Sequence, residues 1–173
     1  KLGPNVLFIT DKGLMSLNLT EPTLSKLNEY SSIVEVFQDV EADPSIKTLL
    51  HSIKVGKKIN ATGVIGFGGG SSMDVAKLAS LILGSNEDIE DAWGVSNAKG
   101  PRLPLVLIPT TAGTGSEVTP ISIITVGEEE KKGVSSPIIL PDIAILDPDL
   151  TIGLPAHTTA ATGIDAMVHA IEG

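Results

Sequence analysis

Cysteine is absent from this 173-residue chain, and aromatic residues make up only 3% of it. Without thiols the chain can form no disulfide bond and cannot use cysteine as a nucleophile or a metal ligand. Such a sequence fits a reducing compartment. Because aromatic side chains are so few, we expect a core of Val, Ile and Leu, which suits a β-sheet covered by closely packed helices.

Large basic clusters and long apolar runs are also lacking. The largest basic clusters are the pairs Lys57-Lys58 and Lys131-Lys132, and the formal net charge is −9. Nucleic acid is therefore not an expected partner. The apolar runs are too short to cross a membrane, and the N-terminal residues do not show the charged start and apolar core of a secretory signal. We expect a soluble, cytoplasmic protein without a membrane partner.

Short apolar segments alternate with helical patterns along the chain. Strands are predicted at residues 6–10, 33–37, 63–67, 104–108 and 143–146, and helices at residues 22–30, 44–59 and 72–83. This alternation indicates βαβ units and hence an α/β fold with a Rossmann-like parallel sheet flanked by helices. Residues 84–102 are predicted to be a mostly polar connection. Residues 121–125 and the segment after Gly133 are predicted to form a hairpin or loop around the acidic run 128–130.

A boundary is predicted near Thr151, between Pro148 and Pro155. It separates residues 1–150, the α/β domain, from residues 151–173, the start of a second unit. The final helix is expected to begin at Thr158 or Thr159, either of which can serve as its N-cap.

A glycine-rich turn joins a predicted strand to a predicted helix. Gly68-Gly69-Gly70-Ser71 follows the apolar segment 63–67 and precedes the helical pattern that starts near Val75. Glycine permits close approach of a ligand, and the free N–H groups of a helix N-terminus favour an anion. The turn half-fits the dinucleotide fingerprint, with Ser71 where its third glycine belongs. A phosphate-binding turn is predicted, and a tight turn that binds nothing stays open as the alternative.

A second polar loop follows the predicted strand 104–108. It carries Ser116 and four threonines, Thr110, Thr111, Thr114 and Thr119. Ligands of open α/β sheets bind outside the carboxyl ends of the strands, so this loop and the glycine turn would line one crevice. The alternative is an ordinary turn whose hydroxyl groups bond their own backbone.

Asp165 and His169 are four residues apart near the end of the chain. On a helix this spacing puts a carboxylate and an imidazole on one face, where they can share a divalent cation. The alternative is a solvated pair or a local hydrogen bond. Tight binding of zinc or iron needs further ligands, and neither His51 nor His157 has a second donor at a comparable spacing.

Together these segments resemble the motifs of the iron-containing (group III) alcohol dehydrogenases, a metal-dependent family related in fold to glycerol dehydrogenase and dehydroquinate synthase. The resemblance rests on residues 68–71 with Asp74 and Lys77, on residues 109–117 and on residues 162–170, in that order. It extends over residues 6–173. It implies a Rossmann-like nucleotide-binding domain followed by the start of an all-helical second domain, as in the dehydroquinate synthase-like architecture.

The resemblance also implies site residues. Gly69, Gly70 and Ser71 would hold the pyrophosphate of NAD, and the rest of the dinucleotide cleft would be lined by Thr110, Thr111, Thr114, Thr119 and Lys132. Asp165 and His169 would be two of four metal ligands. The other two, both histidines, would lie beyond Gly173, so we expect a truncated chain.

Asp11 directly follows the first predicted strand and, by the same resemblance, would face the adenine ribose. A carboxylate at this place can accept hydrogen bonds from ribose hydroxyls and would repel a 2′-phosphate, so NAD is favoured over NADP. The alternatives are a turn residue before Lys12-Gly13 for Asp11, and a solvated charge beside Lys131 for Lys132.

The implied reaction is hydride transfer between an alcohol, or an aldehyde or ketone in reverse, and NAD, with Fe²⁺ or Zn²⁺ as the Lewis acid. The first alternative is a related dehydrogenase that acts on a hydroxy acid, a diol or a maleylacetate-type oxo acid. A truncated, non-catalytic NAD(H)-binding module is the second alternative. The expected partner is a small-molecule alcohol or aldehyde, and members of the family commonly form homo-oligomers.

Overall fold

The computed structural model describes residues 2–128 and 130–172. In these residues the strands are Asn5–Ile9 (β1), Ile33–Phe37 (β2), Gly63–Gly68 (β3), Gly94–Val95 (β4), Leu105–Pro109 (β5), Ile121–Val126 (β6), Glu130–Ser135 (β7) and Ile143–Ala144 (β8). The helices are Lys12–Ser16 (α1), Glu21–Tyr30 (α2), Ile46–Lys58 (α3), Gly70–Ser85 (α4), Ile89–Ala92 (α5), Asp149–Ile152 (α6) and Ala156–Glu172 (α7). Glu129 of the acidic run and Gly173 of the expected second unit lie outside the described residues. None of the described helices is both long and apolar enough to span a membrane.

The main sheet is parallel and has the strand order β2-β1-β3-β5-β8. The strand β2 lies on one side of β1, whereas β3 and the later strands lie on the other side. The direction in which strands are added therefore reverses between β1 and β3, which makes this point the topological switch point of the sheet. The predicted α/β fold with a parallel sheet is confirmed.

Two apolar layers cover the two faces of this sheet, because alternate residues of each strand point to opposite faces. Leu7, Val64 and Leu107 pack against α3 and α4 in one layer. Phe8 and Phe67 belong to the other layer, which includes residues of α1 and α2, and their ring centroids lie 5.6 Å apart. The sheet is thus held rigidly between helices, and the segments that leave its carboxyl edge start from fixed positions.

Glycine allows α4 to pack closely on β3. A Cβ at Gly66 would lie 2.7 Å from both the Cβ of Ala76 and the Cδ2 of Leu107. Gly68 has φ +147°, a conformation that other residues rarely adopt. Because the chain turns this tightly, α4 begins at Gly70, two residues before the predicted start at Ser72.

A small second sheet with the order β4-β7-β6 packs beside α4. Its strands β6 and β7 form the predicted hairpin, although β7 begins at Glu130 and not after Gly133. The prediction of a polar connection over residues 84–102 was wrong, since α5 buries Ile89 and Ala92 and β4 pairs with β7. Elements this short show no sequence periodicity from which they could be recognised.

Other boundaries differ by a few residues. The helix α7 begins at Ala156, immediately after Pro155, and not at Thr158 or Thr159. Proline suits the start of a helix because its φ is already helical and its missing N–H would have no partner there. The helix α1 was not predicted, and β8 ends at Ala144, before the predicted end at residue 146.

Candidate cofactor-binding site

Three segments meet at the carboxyl edge of the main sheet. Asp11 follows β1, the glycine turn (residues 68–71) follows β3, and the threonine loop (residues 110–119) follows β5. The ends of β1 and β3 flank the switch point, where ligands of open α/β sheets bind. The structure therefore brings two separate sequence motifs and Asp11 to one crevice.

Two cavities of the crevice border the glycine turn. A cavity of about 590 Å³, here called the Asp11 cavity, is lined in part by five predicted site residues, Asp11, Gly69, Ser71, Thr110 and Thr111. A cavity of about 630 Å³, here called the His169 cavity, is lined in part by Gly70, Thr114, Thr119 and His169. Gly69 lines one cavity and Gly70 the other, so the two cavities border the turn at consecutive residues.

The glycine turn presents bare backbone to both cavities. A Cβ at Gly69 would lie 3.5 Å from Thr111 Oγ1, and a Cβ at Gly70 would lie 3.1 Å from Thr114 Cγ2. Gly69 is the N-cap of α4, and among the described residues no side chain bonds the free N–H groups of the first turn. These groups are directed at any anion bound on the turn, with the favourable end of the helix dipole behind them.

Thr111 carries a buried hydroxyl without a protein partner. Its Oγ1 has no hydrogen-bond partner among the described residues, although a buried polar atom normally has one. Thr111 is one of the residues that line the Asp11 cavity, and its Oγ1 lies 3.5 Å from the position that a Cβ at Gly69 would take. Together, the unpartnered hydroxyl and the uncapped turn fit a phosphate-bearing ligand with further hydrogen-bonding groups.

Asp11 combines two roles at the rim of the Asp11 cavity. Its Oδ1 accepts a hydrogen bond of 2.9 Å from the backbone N–H of Leu14 and thereby caps α1. Glu41 lines the same cavity, and the nearby Lys12 pairs with Asp39 at 2.7 Å. The hydrogen bond from Lys12 lowers the pKa of Asp39. Besides Lys12, this rim carries the carboxylates of Asp11 and Glu41.

A polar cluster with a buried lysine borders the His169 cavity, and sequence reasoning assigned a role in the site to its Thr119 but none to Asp74, Lys77 or Ser116. The lysine cluster consists of Asp74, Lys77, Ser116 and Thr119. The side chain of Lys77 is 0% exposed, and burial lowers its pKa to about 8. Burial also raises the pKa of Asp74, a carboxyl group that borders the cavity. The signal in the sequence is a lysine placed among Val75, Ala76 and Leu78 in the helix that follows a glycine turn.

Lys132 lies apart from the other predicted site residues. It belongs to β7, and its ammonium is 3.8 Å from a carboxylate oxygen of Glu90. It is not among the described residues that line either cavity. The sequence offered no means of placing it, because its position depends on how the hairpin packs against α5.

Asp165 and His169 lie on one side of α7, as their spacing predicts. His169 Nε2 is 3.7 Å from Asp165 Oδ1, and His169 Nδ1 is 3.3 Å from the carbonyl oxygen of Gly113. A carboxylate and an imidazole are a donor pair that both Fe²⁺ and Zn²⁺ accept. Across residues 2–128 and 130–172, however, no group of three or more His, Asp or Glu side chains is close enough to hold a metal ion. The pair fits part of a metal site.

The fold and the crevice define a class of protein, a parallel α/β domain with a phosphate-binding type of turn at its switch point. The sequence model of the family described as iron-containing alcohol dehydrogenase matches residues 1–148. This chain belongs to the iron-containing alcohol dehydrogenase family, as its motifs predicted.

Curated relatives and solved structures agree with this assignment. Over 171 residues the chain is 39% identical to a sulfoacetaldehyde reductase of Bilophila wadsworthia (strain 3_1_6), and the match covers 98% of the chain and 44% of the relative. A crystal structure of 1,3-propanediol oxidoreductase superimposes with a TM-score of 0.92 at 35% identity, covering 98% of this chain and 44% of that one. A sulfoacetaldehyde reductase from Bifidobacterium kashiwanohense, solved in complex with NAD⁺, gives a TM-score of 0.87 at 32% identity, covering 99% and 45%. The chain thus spans less than half the length of these proteins.

Proposed function

We propose that this chain is the NAD-binding part of a metal-dependent alcohol dehydrogenase that transfers hydride between an alcohol and NAD. The observation that carries the proposal is that consecutive residues of the turn, Gly69 and Gly70, border two cavities. A dinucleotide has its pyrophosphate in the middle and one nucleoside at each end, and this crevice has a matching arrangement. A family member solved in complex with NAD⁺ supports the assignment.

The two nucleosides would occupy different cavities. The adenosine half would lie in the Asp11 cavity, where Asp11 accepts from the ribose and Thr111 Oγ1 gains the partner that it lacks. The nicotinamide half would lie in the His169 cavity beside Thr114 and Thr119. Lys132 stays in the proposal on the resemblance alone, since its ammonium is 3.8 Å from Glu90 and it lines neither cavity.

Asp165 and His169 would supply two ligands of a divalent cation, Fe²⁺ or Zn²⁺. When bound, such an ion acts as a Lewis acid in the interconversion of alcohol and carbonyl. His169 lines the same cavity as Thr114 and Thr119, so a metal-binding side chain and the nicotinamide half would share one cavity. The relatives' names include a diol and a sulfonated aldehyde as substrates, and we therefore propose the reaction class, alcohol to carbonyl.

A second candidate function is an NAD(H)-binding module without catalysis. It rests on the cofactor crevice alone, which needs no metal ion to bind NAD(H). The two candidates share the cofactor site. They differ in whether metal ligands besides Asp165 and His169 complete a catalytic site. Hydride transfer to an aldehyde in the presence of Fe²⁺ or Zn²⁺ would distinguish them.

Titration of the chain with NADH, followed by nicotinamide fluorescence, tests the cofactor site. We expect saturable binding that is stronger for NADH than for NADPH. The variant Gly69→Ala gives the sharper comparison, because the added Cβ meets Thr111 at ordinary contact distances of 3.5 and 3.7 Å and leaves the fold intact. The methyl group would nevertheless lie where the pyrophosphate approaches, and we expect the affinity for NADH to fall by about tenfold or more.

Gly153→Ala is the matched control, since no described heavy atom lies within 4 Å of its Cβ position and it lines neither cavity. Its affinity for NADH should equal that of the unmodified chain. Equal NADH affinities for all three proteins, or no binding by the folded chain, would refute the proposed cofactor site.

A further inference from the structure

Lys77 is an ionisable residue of α4 that is buried among apolar residues. Its neighbours Val75, Ala76 and Leu78 are fully buried, and its own side chain is 0% exposed. Removing an ammonium group from water costs several kcal/mol unless hydrogen bonds replace the lost hydration. The ammonium group of Lys77 therefore needs hydrogen-bond acceptors inside the protein.

The ammonium group of Lys77 binds the end of the threonine loop and the first residue of β6. Its Nζ donates to the carbonyl oxygen of Ile121 at 2.7 Å, to Ser116 Oγ at 3.0 Å and to Thr119 Oγ1 at 3.4 Å. An ammonium group has three donors, and each has an acceptor here. A leucine or methionine of similar volume could bind none of these oxygens.

Asp74, one turn earlier on α4, holds the same segment. Its Oδ1 accepts a hydrogen bond of 2.6 Å from Ser116 Oγ, and its Oδ2 accepts one of 3.0 Å from the backbone N–H of Ile123. The two charges are 3.9 Å apart and share Ser116 as a common partner. One turn of α4 thus fixes both the threonine loop and the start of β6.

These contacts determine how the walls of the His169 cavity are placed. One wall includes Gly70, at the start of α4, and the facing wall includes Thr114, Thr119 and Ile123. A Cβ at Gly70 would be only 3.1 Å from Thr114 Cγ2, so the two walls already lie close together. Lys77 does not line the cavity, and it can influence a ligand there only by holding the walls.

We propose that Lys77 is a positioning residue, and that the lysine cluster holds the threonine loop against α4 so that the His169 cavity accepts the nicotinamide half of NAD. This inference rests on the proposed function, because it names the half of the cofactor that the cavity takes. None of the four cluster residues lines the Asp11 cavity, and Thr110 and Thr111, the loop residues that do, lie at the opposite end of the threonine loop from the contacts of Lys77. The proposal therefore predicts that loss of the cluster weakens binding of the nicotinamide half of NAD and not of the adenosine half.

The test compares NADH with ADP-ribose, which lacks the nicotinamide. The dissociation constants of both ligands are measured on the full chain and on Lys77→Met and Ser116→Ala, together with the free energy of unfolding in urea. Ser116→Ala is the milder change, because it removes a single hydroxyl group, but Ser116 also lines the His169 cavity, so its result supports the positioning role only when a Lys77 variant behaves in the same way. Lys77→Gln, which keeps an amide donor, takes the place of Lys77→Met if that variant does not fold. Ser52→Ala is the matched control, a buried serine whose hydroxyl bonds Leu49 of its own helix.

We expect Ser116→Ala and Lys77→Met to weaken NADH binding by about tenfold, the loss typical of broken charged hydrogen bonds, with ADP-ribose binding unchanged. The control should bind both ligands as the unmodified chain does. Equal weakening of both ligands, or unchanged NADH binding, would overturn the positioning role while leaving the cofactor site in place. Failure of the unmodified chain to bind either ligand would instead refute the proposed function, and the positioning role with it.

Discussion

Single residues at this site carry more than one physical role, and Asp11 is the clearest example. Its carboxylate caps α1 through the Leu14 N–H and also lines the Asp11 cavity. Sequence reasoning treated the turn residue and the ribose ligand as alternatives, whereas the structure makes the two roles compatible, since one oxygen caps the helix and the other remains for a ligand. The negative charge and the capping oxygen can therefore be tested separately.

Asp11→Asn should keep the cap and remove the charge, because asparagine is as good an N-cap as aspartate. We expect the preference for NADH over NADPH to fall by about tenfold, as repulsion of the 2′-phosphate disappears, with little change in stability. Asp11→Ala should lose the cap as well and cost about 1 kcal/mol in the free energy of unfolding. Fluorescence titration and urea unfolding of the two variants give the comparison, and an unchanged NADPH affinity in Asp11→Asn would contradict the role of the charge.

The buried Lys77 should also be visible in the pH dependence of stability. Its pKa is about 8 in the folded chain against 10.5 for an ordinary lysine, so between these pH values the unfolded chain binds more protons. The contribution of Lys77 to the free energy of unfolding should therefore rise with pH across this window, by at most about 1.4 kcal/mol per pH unit.

The measurement is urea unfolding of the unmodified chain and of Lys77→Met at several pH values from about 8 to 10.5. The free energy of unfolding of the unmodified chain minus that of Lys77→Met should rise with pH. The same difference for Lys54→Met, an exposed lysine of α3, should stay flat. A difference that falls with pH for Lys77→Met would show that the ammonium form is favoured in the folded chain.

At the scale of elements, the unit formed by β3, the glycine turn and α4 organises the site. The turn is bare backbone, and α4 begins inside it because Gly66 and Gly68 let the helix and strand approach closely. Close packing leaves no room for added atoms between two elements. The position of the first turn of α4, and thus of its free N–H groups, depends on this contact.

Gly66→Ala should separate α4 from β3. Its Cβ would come within 2.7 Å of both Ala76 Cβ and Leu107 Cδ2, and overpacking of this kind costs about 1–3 kcal/mol. Urea unfolding should show this loss, and NADH binding should weaken because the glycine turn moves. Gly163→Ala in α7, where no described heavy atom lies within 4 Å of the Cβ, should leave the unfolding midpoint unchanged or slightly raised. Similar midpoints for both variants would mean that the β3–α4 contact can relax.

The longer elements could be predicted from the sequence, and the short ones could not. The helix α3 and the strand β2 have clear periodicity and were placed within two residues or less. The short elements α5 and β4 depend on contacts with β7, which no local pattern encodes. The site follows the same rule. Asp11, the glycine turn and the threonine loop each follow a predicted strand, so their position at one edge of the sheet could be predicted. Lys132 and the lysine cluster depend on how the hairpin packs.

At the scale of the whole molecule, Asp165 and His169 lie on α7, an element apart from the sheet on which the cofactor crevice is built, although His169 also lines the His169 cavity. The crevice is built on the rigid sheet, whereas α7 buries none of its described side chains. We therefore expect that Zn²⁺ binds the chain weakly through Asp165 and His169, and that removing it with a chelator changes NADH affinity by less than about twofold.

Calorimetric titration with Zn²⁺ checks this expectation in the unmodified chain and in His169→Ala. His157→Ala, an exposed histidine at the start of α7, is the control and should bind Zn²⁺ as before. Loss of Zn²⁺ binding in the control, or a large effect of the chelator on NADH affinity, would contradict the separation of the two sites.

The contact between His169 Nδ1 and the Gly113 carbonyl joins α7 to the threonine loop. A carbonyl oxygen can only accept, so Nδ1 must carry the proton, and in the neutral ring Nε2 is then the nitrogen with a free lone pair. The backbone of the threonine loop thereby selects the imidazole tautomer that can act as a ligand on the side of Asp165. If this loop shifts when a nucleotide enters, we expect the basicity of that lone pair to change through this one hydrogen bond.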